Sequence, residues 1–269
     1  MSFNDLDTVI LMLIADQLHE DEPRIAQYAT ISRRWLSVLE ALTFRHLSLD
    51  FDQRLHQLSQ FLTPDRRLAL RSLDVTIHLP EYGQDKWNKL ETEAEKATNN
   101  DIFSKSLVSV FETINSWTTL AVSNAQFSKS SISERRARPR FTLEIQAICK
   151  SDYYHMNPGD RYRRTCNSKE DREMARHESS YLELVEELPS LPTVSGLIIH
   201  GGAPRLRREL HPRYISAKAA LRIVEACPSV DRIELQLSDM ESKNLTQRNN
   251  EREGTRTCSS TKSIRADIL

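Results

Sequence analysis

Apolar residues near the N-terminus recur at steps of three and four positions, which is the spacing of one face of an α-helix. This spacing predicts a helix from about Leu6 to Leu18. Acidic and proline residues at positions 21–23 predict the start of a second helix, and Thr30 or Ser32 can cap a third. Such a three-helix unit is too small to be comfortably stable alone, so we expect the rest of the chain or another protein to cover its remaining apolar surface. The apolar positions of the first and third helices are Leu6, Val9, Ile10, Leu13, Ile14, Leu18, Ile31, Trp35, Val38, Leu39 and Leu42.

Alternating apolar and polar residues predict β-strands farther along the chain, each with one buried face. Helical spacing between the alternating stretches places helices between the strands. Pro64 and Asp65 give the turn signal that ends the first of these helices. The predicted strands are residues 47–51, 73–79, the short pair Leu120 and Val122, and 141–147, and the predicted helices are residues 55–62, 102–117 and 181–188.

One internal repeat stands out. The segment L-P-T-V-S-G-L-I-I begins at Leu191, and the similar segment C-P-S-V-D-R-I-E-L begins 36 residues later at Cys227. Each copy would follow an amphipathic helix and enter a strand, which is the plan of irregular leucine-rich repeats with parallel strands and outer helices. The alternative is an ordinary α/β core in which leucine and isoleucine simply pack. Either way the predicted fold class is α/β.

Composition excludes several classes of function. Lys and Arg number 37 against 38 Asp and Glu, so no overall charge would gather nucleic acid. Only six glycines occur, which argues against a glycine-rich phosphate loop. The four cysteines form no Cys-x-x-Cys pair, as expected of reduced thiols in the cytoplasm or nucleus. The apolar run from Val9 to Ile14 follows acidic residues and resembles no signal peptide, and no apolar stretch is long enough to predict a membrane span.

No known catalytic motif is present, so we predict no catalytic residue, metal or cofactor. His155, Cys166 and His177 have a spacing that matches no usual zinc site, and they are interpreted as loop residues. Cys149 and Cys227 are interpreted as buried packing residues. Clusters of arginine lie next to acidic residues and are interpreted as solvated surface, although Arg forks could also bind phosphate. Those arginines are Arg135, Arg136, Arg138, Arg140, Arg161, Arg163, Arg164, Arg205, Arg207 and Arg208.

The run L-D-T-V-I-L-M-L-I-A-D-Q-L, followed by I-S-R-R-W-L-S-V-L-E, resembles an F-box. The later runs W-L-S-V-L-E-A-L-T-F-R-H-L-S-L and R-S-L-D-V-T-I-H-L-P-E-Y resemble the fungal F-box proteins that continue into a repeat-like body. The family usually opens its first helix with Leu-Pro-x-Glu, whereas this chain has Asp7 in place of the proline and Val9 in place of the glutamate.

This resemblance implies a substrate-recognition adaptor of a Skp-cullin-F-box type ubiquitin ligase, with no enzyme activity of its own. The N-terminal helices would bind the Skp adaptor, and the body would bind a protein substrate. The adaptor-binding residues that it implies are Leu6, Val9, Ile10, Leu13, Ile14, Leu18, Ile31 and Trp35. The alternatives are a non-catalytic scaffold with a degenerate F-box, for which these helices would simply cap the main domain, and an enzyme with an unrecognised site.

The resemblance and the patterns together divide the chain into three parts. Residues 1–46 are an F-box-like three-helix module, and residues 47–240 are an irregular leucine-rich-repeat-like body. Residues 241–269 lack apolar periodicity and are expected to form a disordered polar tail. Because the resembling proteins continue with organised sequence, the tail suggests a truncated or altered C-terminus.

Overall fold

Five strands form one sheet in which every pairing is parallel and the strands follow one another in chain order. The computed structural model describes residues 7–21, 25–86, 89–125, 140–152, 180–201 and 212–237. The strands in these residues are β1 (His46–Asp50), β2 (Ser72–Leu79), β3 (Phe141–Cys149), β4 (Val194–Gly201) and β5 (Arg232–Leu237). The predicted mixed α/β class with parallel strands is therefore confirmed.

Six α-helices and three short 3-10 helices accompany the sheet in the same residues. The α-helices are α1 (Thr8–Asp21), α2 (Arg33–Thr43), α3 (Phe51–Phe61), α4 (Pro64–Ala69), α5 (Glu93–Ala125) and α6 (Ala217–Glu225). The 3-10 helices are Ile25–Thr30, Gln84–Lys86 and Lys150–Asp152. None of the described helices has both the length and the apolar content to cross a membrane.

The register of the sheet stacks apolar side chains in rows across the strands. One row contains Leu47, Leu73, Leu143, Leu197 and Ile233, which are successive register partners. A second row begins at Leu49 and ends at Leu235. Because side chains alternate between the two faces of a strand, both rows lie on the same face and form the main core together with apolar residues of the helices.

Helix α5 supplies the largest helical contribution to this core. Its buried residues Phe103, Leu107, Phe111 and Ile114 recur at three- and four-residue steps, as one face of a helix requires. Its start is a capping box, because Thr92 Oγ1 accepts a hydrogen bond from the Glu95 backbone N–H and Glu95 accepts one from the Thr92 N–H in return.

The 36-residue repeat of the sequence corresponds to neighbouring strands of the structure. Strands β4 and β5 pair in parallel, and His200 faces Gln236, which lies 36 residues farther along the chain. Leu191 and Cys227, the first residues of the two copies, are both fully buried. Helix α6 precedes the second copy, with Ser216 Oγ as its N-cap and Ala219, Ala220, Ile223 and Val224 facing the core.

Several predicted elements differ from the observed ones. Leu120 and Val122 lie within α5 and form no strand, and the predicted helix over residues 181–188 is an extended segment whose Leu182 bridges to Ile215. Strand β1 ends at Asp50, so the predicted last strand residue, Phe51, begins α3. Pro64 begins α4, because proline suits the first turn of a helix.

The N-terminal helices have a small core of their own. Its buried residues are Leu11, Ala15, Ile25, Trp35, Val38 and Leu39, and this cluster is separate from the main core. Helix α2 packs against both α1 and the 3-10 helix Ile25–Thr30, which occupies the place of the predicted second helix. We call residues 7–43 the helical module and residues 46–237 the sheet body.

Candidate docking surface

Helix α1 begins at an aspartate cap. The Asp7 carboxylate accepts a hydrogen bond from the Val9 backbone N–H at 3.2 Å, and the Asp7 carbonyl oxygen accepts the first helical bond from the Leu11 N–H at 3.0 Å. Aspartate is among the preferred residues at this position because its side chain satisfies an amide that the helix leaves unpaired. Asp7 therefore defines the start of α1 without the proline of the resembling family.

The apolar residues of α1 divide between two faces. Leu11 and Ala15 are buried in the core of the helical module, and Leu18 is half-buried against it. Val9, Ile10, Leu13 and Ile14 point outward, and the exposed fractions of Val9 and Leu13 reach 62% and 64%. A helix that is apolar on all sides requires a partner on each side, and among the described residues α1 has one on its inner side only.

Helix α2 begins with an N-cap serine. Ser32 Oγ accepts a hydrogen bond from the Trp35 backbone N–H at 3.1 Å. Ile31 and Leu36 occupy the N′ and N4 positions around this cap, where apolar side chains often form a hydrophobic staple, and both are exposed. Trp35 is only 2% exposed because it fills the centre of the module core between α1 and the 3-10 helix.

The structure brings most of the predicted adaptor-binding residues to the surface. Val9, Ile10, Leu13, Ile14 and Ile31 are exposed. The interpretation of Trp35 as a contact residue needs correction, since its buried ring supports the module from inside, and Leu18 is only half-exposed. Leu6 lies outside the described residues. We call Val9, Ile10, Leu13 and Ile14 the outer α1 face.

Sequence reasoning missed two residues that add to the exposed apolar surface. Met12 lies on α1 and is 42% exposed, and Leu36 lies on α2 and is 38% exposed. Met12 was detectable because it belongs to the same apolar run as its neighbours. Leu36 could have been found from its N4 position after the Ser32 cap.

The face of the sheet opposite the main core carries a polar row. Gln146 Nε2 donates to Thr76 Oγ1 at 2.7 Å, and Gln236 Nε2 donates to Glu234 at 2.5 Å. The two ring nitrogens of His200 lie 2.7 Å from Glu144 Oε1 and 2.7 Å from Gln236 Oε1. Three of these four contacts join neighbouring strands, and Thr76, Gln146 and His200 at the centre of the row are buried.

A second polar network lies beyond the carboxyl ends of β2 and β3. The Arg213 guanidinium donates to Glu91 Oε1 at 2.7 Å and lies 3.7 Å from Asp152 Oδ2. Ser180 and Asn99 also donate hydrogen bonds to Glu91. Burial alone would lower the pKa of Arg213, but Asp152 and Glu91 outweigh this effect and raise the pKa.

This network joins four chain segments, which contribute Glu91 with Asn99, Asp152, Ser180 and Arg213. Its edge faces an open groove lined in part by Tyr82, Lys86 and Glu95, of which Lys86 and Glu95 form an ion pair at 2.8 Å. Residues 86–100 are mostly polar, which is typical of an exposed segment, yet Glu91 and Asn99 are buried. Because these charged groups are paired with one another, the network is a structural tie between chain segments.

The two described cysteines are poor nucleophiles. Cys149 and Cys227 are both buried thiols. Burial, with a smaller contribution from Asp152, raises the pKa of the Cys149 thiol, so less of the reactive thiolate forms. Cys166 lies outside the described residues, as do His155, His177, the arginine clusters other than Arg140, and the predicted polar tail. Within the described parts of the chain, no group of three or more His, Cys, Asp or Glu residues could hold a metal ion.

A scan of protein-family models, a search of curated proteins and a search of solved structures each returned no match.

Proposed function

We propose that this chain is a substrate-recognition adaptor of a Skp-cullin-F-box type ubiquitin ligase. The observation that carries the proposal is the outer α1 face, whose apolar side chains remain exposed although the module already has its own core. Full burial of an apolar side chain of this size contributes about 1.5–3 kcal/mol, and these four are 40–64% exposed, so covering them contributes roughly half of that for each. In this proposal the Skp adaptor covers that face.

The local structure of the helical module supports its interpretation as an F-box. Three helical segments, α1, Ile25–Thr30 and α2, follow in the expected order and enclose one apolar core around Trp35. The Asp7 cap offsets the missing proline at the helix start. Val9 replaces the family's glutamate with an exposed apolar side chain, so the contact with the adaptor would be more apolar at this position.

The architecture of the sheet body supports its interpretation as an irregular leucine-rich-repeat-like solenoid. The strands are parallel and in chain order, and leucine, isoleucine and valine stack across them in register. Helices α3 and α5 pack beside this apolar face, which leaves the polar row on the opposite face of the sheet. A substrate protein would bind at the edge strands of that polar face, where the side chains of Asp50 and Glu234 are 62% and 34% exposed, because Thr76, Gln146 and His200 at its centre are buried.

In this role the chain brings a bound substrate close to the subunits that transfer ubiquitin. The partner subunits would carry out the ubiquitin transfer, while this chain would hold the substrate near them. The cytoplasm or nucleus is the expected compartment, because the four cysteines are widely spaced and form no Cys-x-x-Cys pair.

The first test is co-expression of the chain with a Skp adaptor, followed by gel filtration and titration calorimetry. Leu13→Asp places a charge on the outer α1 face and should weaken the complex by about 2 kcal/mol or more, as expected for a central contact. Leu90→Asp is the matched control, because Leu90 lies outside the module and has the same exposed fraction of 64% as Leu13. It should leave the affinity unchanged.

Both variants should retain the parent circular dichroism spectrum, since both side chains are already exposed. If the folded parent forms no complex with the adaptor, the ligase proposal fails. The better account would then be a protein-binding scaffold with a degenerate F-box. Equal loss of binding in both variants would also contradict docking through α1.

A further inference from the structure

The helical module is joined to the sheet body by a very short connection. Helix α2 ends at Thr43 and β1 begins at His46, so only Phe44 and Arg45 lie between them. The Phe44 ring packs against the main core, although its backbone N–H still donates to the Glu40 carbonyl of α2 at 2.9 Å. The Arg45 carbonyl accepts hydrogen bonds from the N–H groups of Arg71 and Ser72 at 2.8 and 3.0 Å. Phe44 and Arg45, which we call the joint, are therefore hydrogen-bonded through their backbone to α2 of the module and to residues 71–72 of the body.

One side chain of the sheet body bridges the joint. Arg66, in α4, donates from Nη2 to Glu40 Oε1 of the module at 2.6 Å and from Nη1 to the Phe61 carbonyl of the body at 2.9 Å. Its guanidinium carbon also lies 4.5 Å from the centre of the Phe44 ring. A single planar group thus contacts the module, the joint and the body.

The geometry of arginine suits this bridging position. Its donors are fixed in a plane, so bonds to two acceptors set the orientation of the group, and its face stacks on an aromatic ring. The Arg66 and Glu40 side chains are 28% and 36% exposed, so solvent screens the pair only in part. Because partly exposed ion pairs contribute little to global stability, the main effect of these contacts is on orientation.

We propose that Arg66 fixes the angle between the helical module and the sheet body. This role of Arg66 is a property of the chain alone and does not depend on adaptor binding. Its consequence for ubiquitin transfer rests on the proposed function: a protein bound to the body would keep a constant orientation relative to the adaptor on α1. A loose joint would lower the effective concentration of the bound substrate at the transfer site.

Distance measurement between two spin labels tests the proposal directly. Ser37→Cys on α2 and Glu112→Cys on α5 place the labels at exposed positions in the module and in the body. The background carries serine at the two cysteines outside the described residues, Cys166 and Cys258, while Cys149 and Cys227 stay in place because they are buried. We expect Arg66→Ala to broaden the distance distribution at least twofold in width.

Arg71→Ala is the matched control, because Arg71 is an exposed arginine close to α4 whose side chain, among the described residues, donates only to the Leu68 carbonyl at 3.5 Å. It should leave the distribution unchanged. Arg66→Lys keeps the charge but loses the planar fork, so it should give an intermediate width. An unchanged distribution in Arg66→Ala would overturn the proposal.

A second variant and an affinity measurement separate the role of Arg66 from a general loss of folding and from the proposed adaptor function. Glu40→Ala is the second variant in case Arg66→Ala lowers helical content, and it should also broaden the distribution, because it removes the oxygen that accepts from Arg66 Nη2. A narrow distribution in folded Glu40→Ala would likewise count against this role of Arg66. The adaptor affinity of Arg66→Ala should stay within twofold of the parent, because Arg66 is not on α1. If the parent does not bind the adaptor, the proposed function fails, while the label distances still decide the role of Arg66.

Discussion

The helical module and the sheet body place their apolar side chains differently. In the body, the apolar residues of β2 and β3 are almost completely buried between the sheet and its helices. Of the eleven large apolar side chains that are exposed in the described residues, seven lie between residues 9 and 36. A stretch of under thirty residues therefore carries most of the exposed apolar side chains of this part of the chain.

This difference follows from size. The body has enough helices to cover one face of its sheet, and polar residues occupy the other face. The module has only two α-helices and one 3-10 helix, which can enclose a core of six buried residues but cannot also cover the outer α1 face. Exposed apolar patches of this kind are typical of interaction surfaces, which is why the outer α1 face is the proposed docking site.

The largest expected effect tests whether the two cores are energetically separate. Phe103→Ala, in the body, and Trp35→Ala, in the module, each leave a large cavity and should each cost about 3–5 kcal/mol. We expect Phe103→Ala to lower the free energy of unfolding of the sheet in urea. Trp35→Ala should instead release the amides of α1 and α2 in hydrogen-exchange mass spectrometry, while β2 and β3 remain protected.

The opposite result would show that the core of the module and the core of the body are not energetically separate. If Trp35→Ala raised exchange in β2 and β3 as much as in α1, the module and the body would unfold as one unit. Leu13→Asp is the control within the module, since its exposed side chain should change exchange very little.

A smaller loss of stability is expected when either of the two serine N-caps is removed. Ser32 Oγ accepts from the Trp35 N–H, and Ser216 Oγ accepts from the Ala219 N–H at 3.0 Å. Loss of either cap should cost about 1 kcal/mol. Ser32→Ala should speed exchange only in the first turn of α2, whereas Ser216→Ala should lower the global free energy of unfolding, because α6 packs on the main core. Ser32→Thr should behave like the parent, and a global effect of Ser32→Ala would contradict separate cores.

The smallest effect concerns a carboxyl group in the body. Burial raises the pKa of Glu183 above its ordinary value of 4.5, although the Ser216 hydrogen bond and the charges of Lys218 and Arg222 partly oppose this. The folded state therefore binds the proton more tightly, so stability falls as pH rises from 4.5 through the folded-state pKa. Glu183→Gln should raise the melting temperature relative to the parent at pH 7 but not at pH 4.

Glu112→Gln, at an exposed position of α5, is the control for this comparison. An equal shift of Glu183→Gln at both pH values would mean that packing, and not ionisation, controls stability at this position.

Much of the body could be predicted from sequence because its pattern has a direct physical cause. Alternation between two faces located β1, β2 and β3, and the repeat that begins at Leu191 and Cys227 anticipated the pairing of β4 with β5. The existence of α1 was equally clear, but its orientation was not. Every residue from Val9 to Ile14 is apolar, so no local signal showed that Leu11 faces inward and Leu13 outward.

The failures occurred where contacts between distant residues decide the structure. Residues 181–188 have helical spacing, yet Arg222 donates hydrogen bonds to the Leu184 and Glu186 carbonyls, which a helix would use internally. Leu120 and Val122 are too short a run to distinguish a strand from the end of a long helix. The ion pair of Glu91 with Arg213 joins residues 122 positions apart and has no local signal.

The order of the strands also bears on how the chain is made. Each strand pairs with the strand synthesised just before it, so a nascent chain leaving the ribosome has a finished template for every new strand. The largest sequence separation between paired strands is that of β2 and β3, where Thr76 and Gln146 are 70 residues apart. This pairing should therefore limit the rate of assembly. Strand β4 then adds to β3, and β5 adds to β4 over an interval of 36 residues. The direction of translation and the direction of sheet growth are the same.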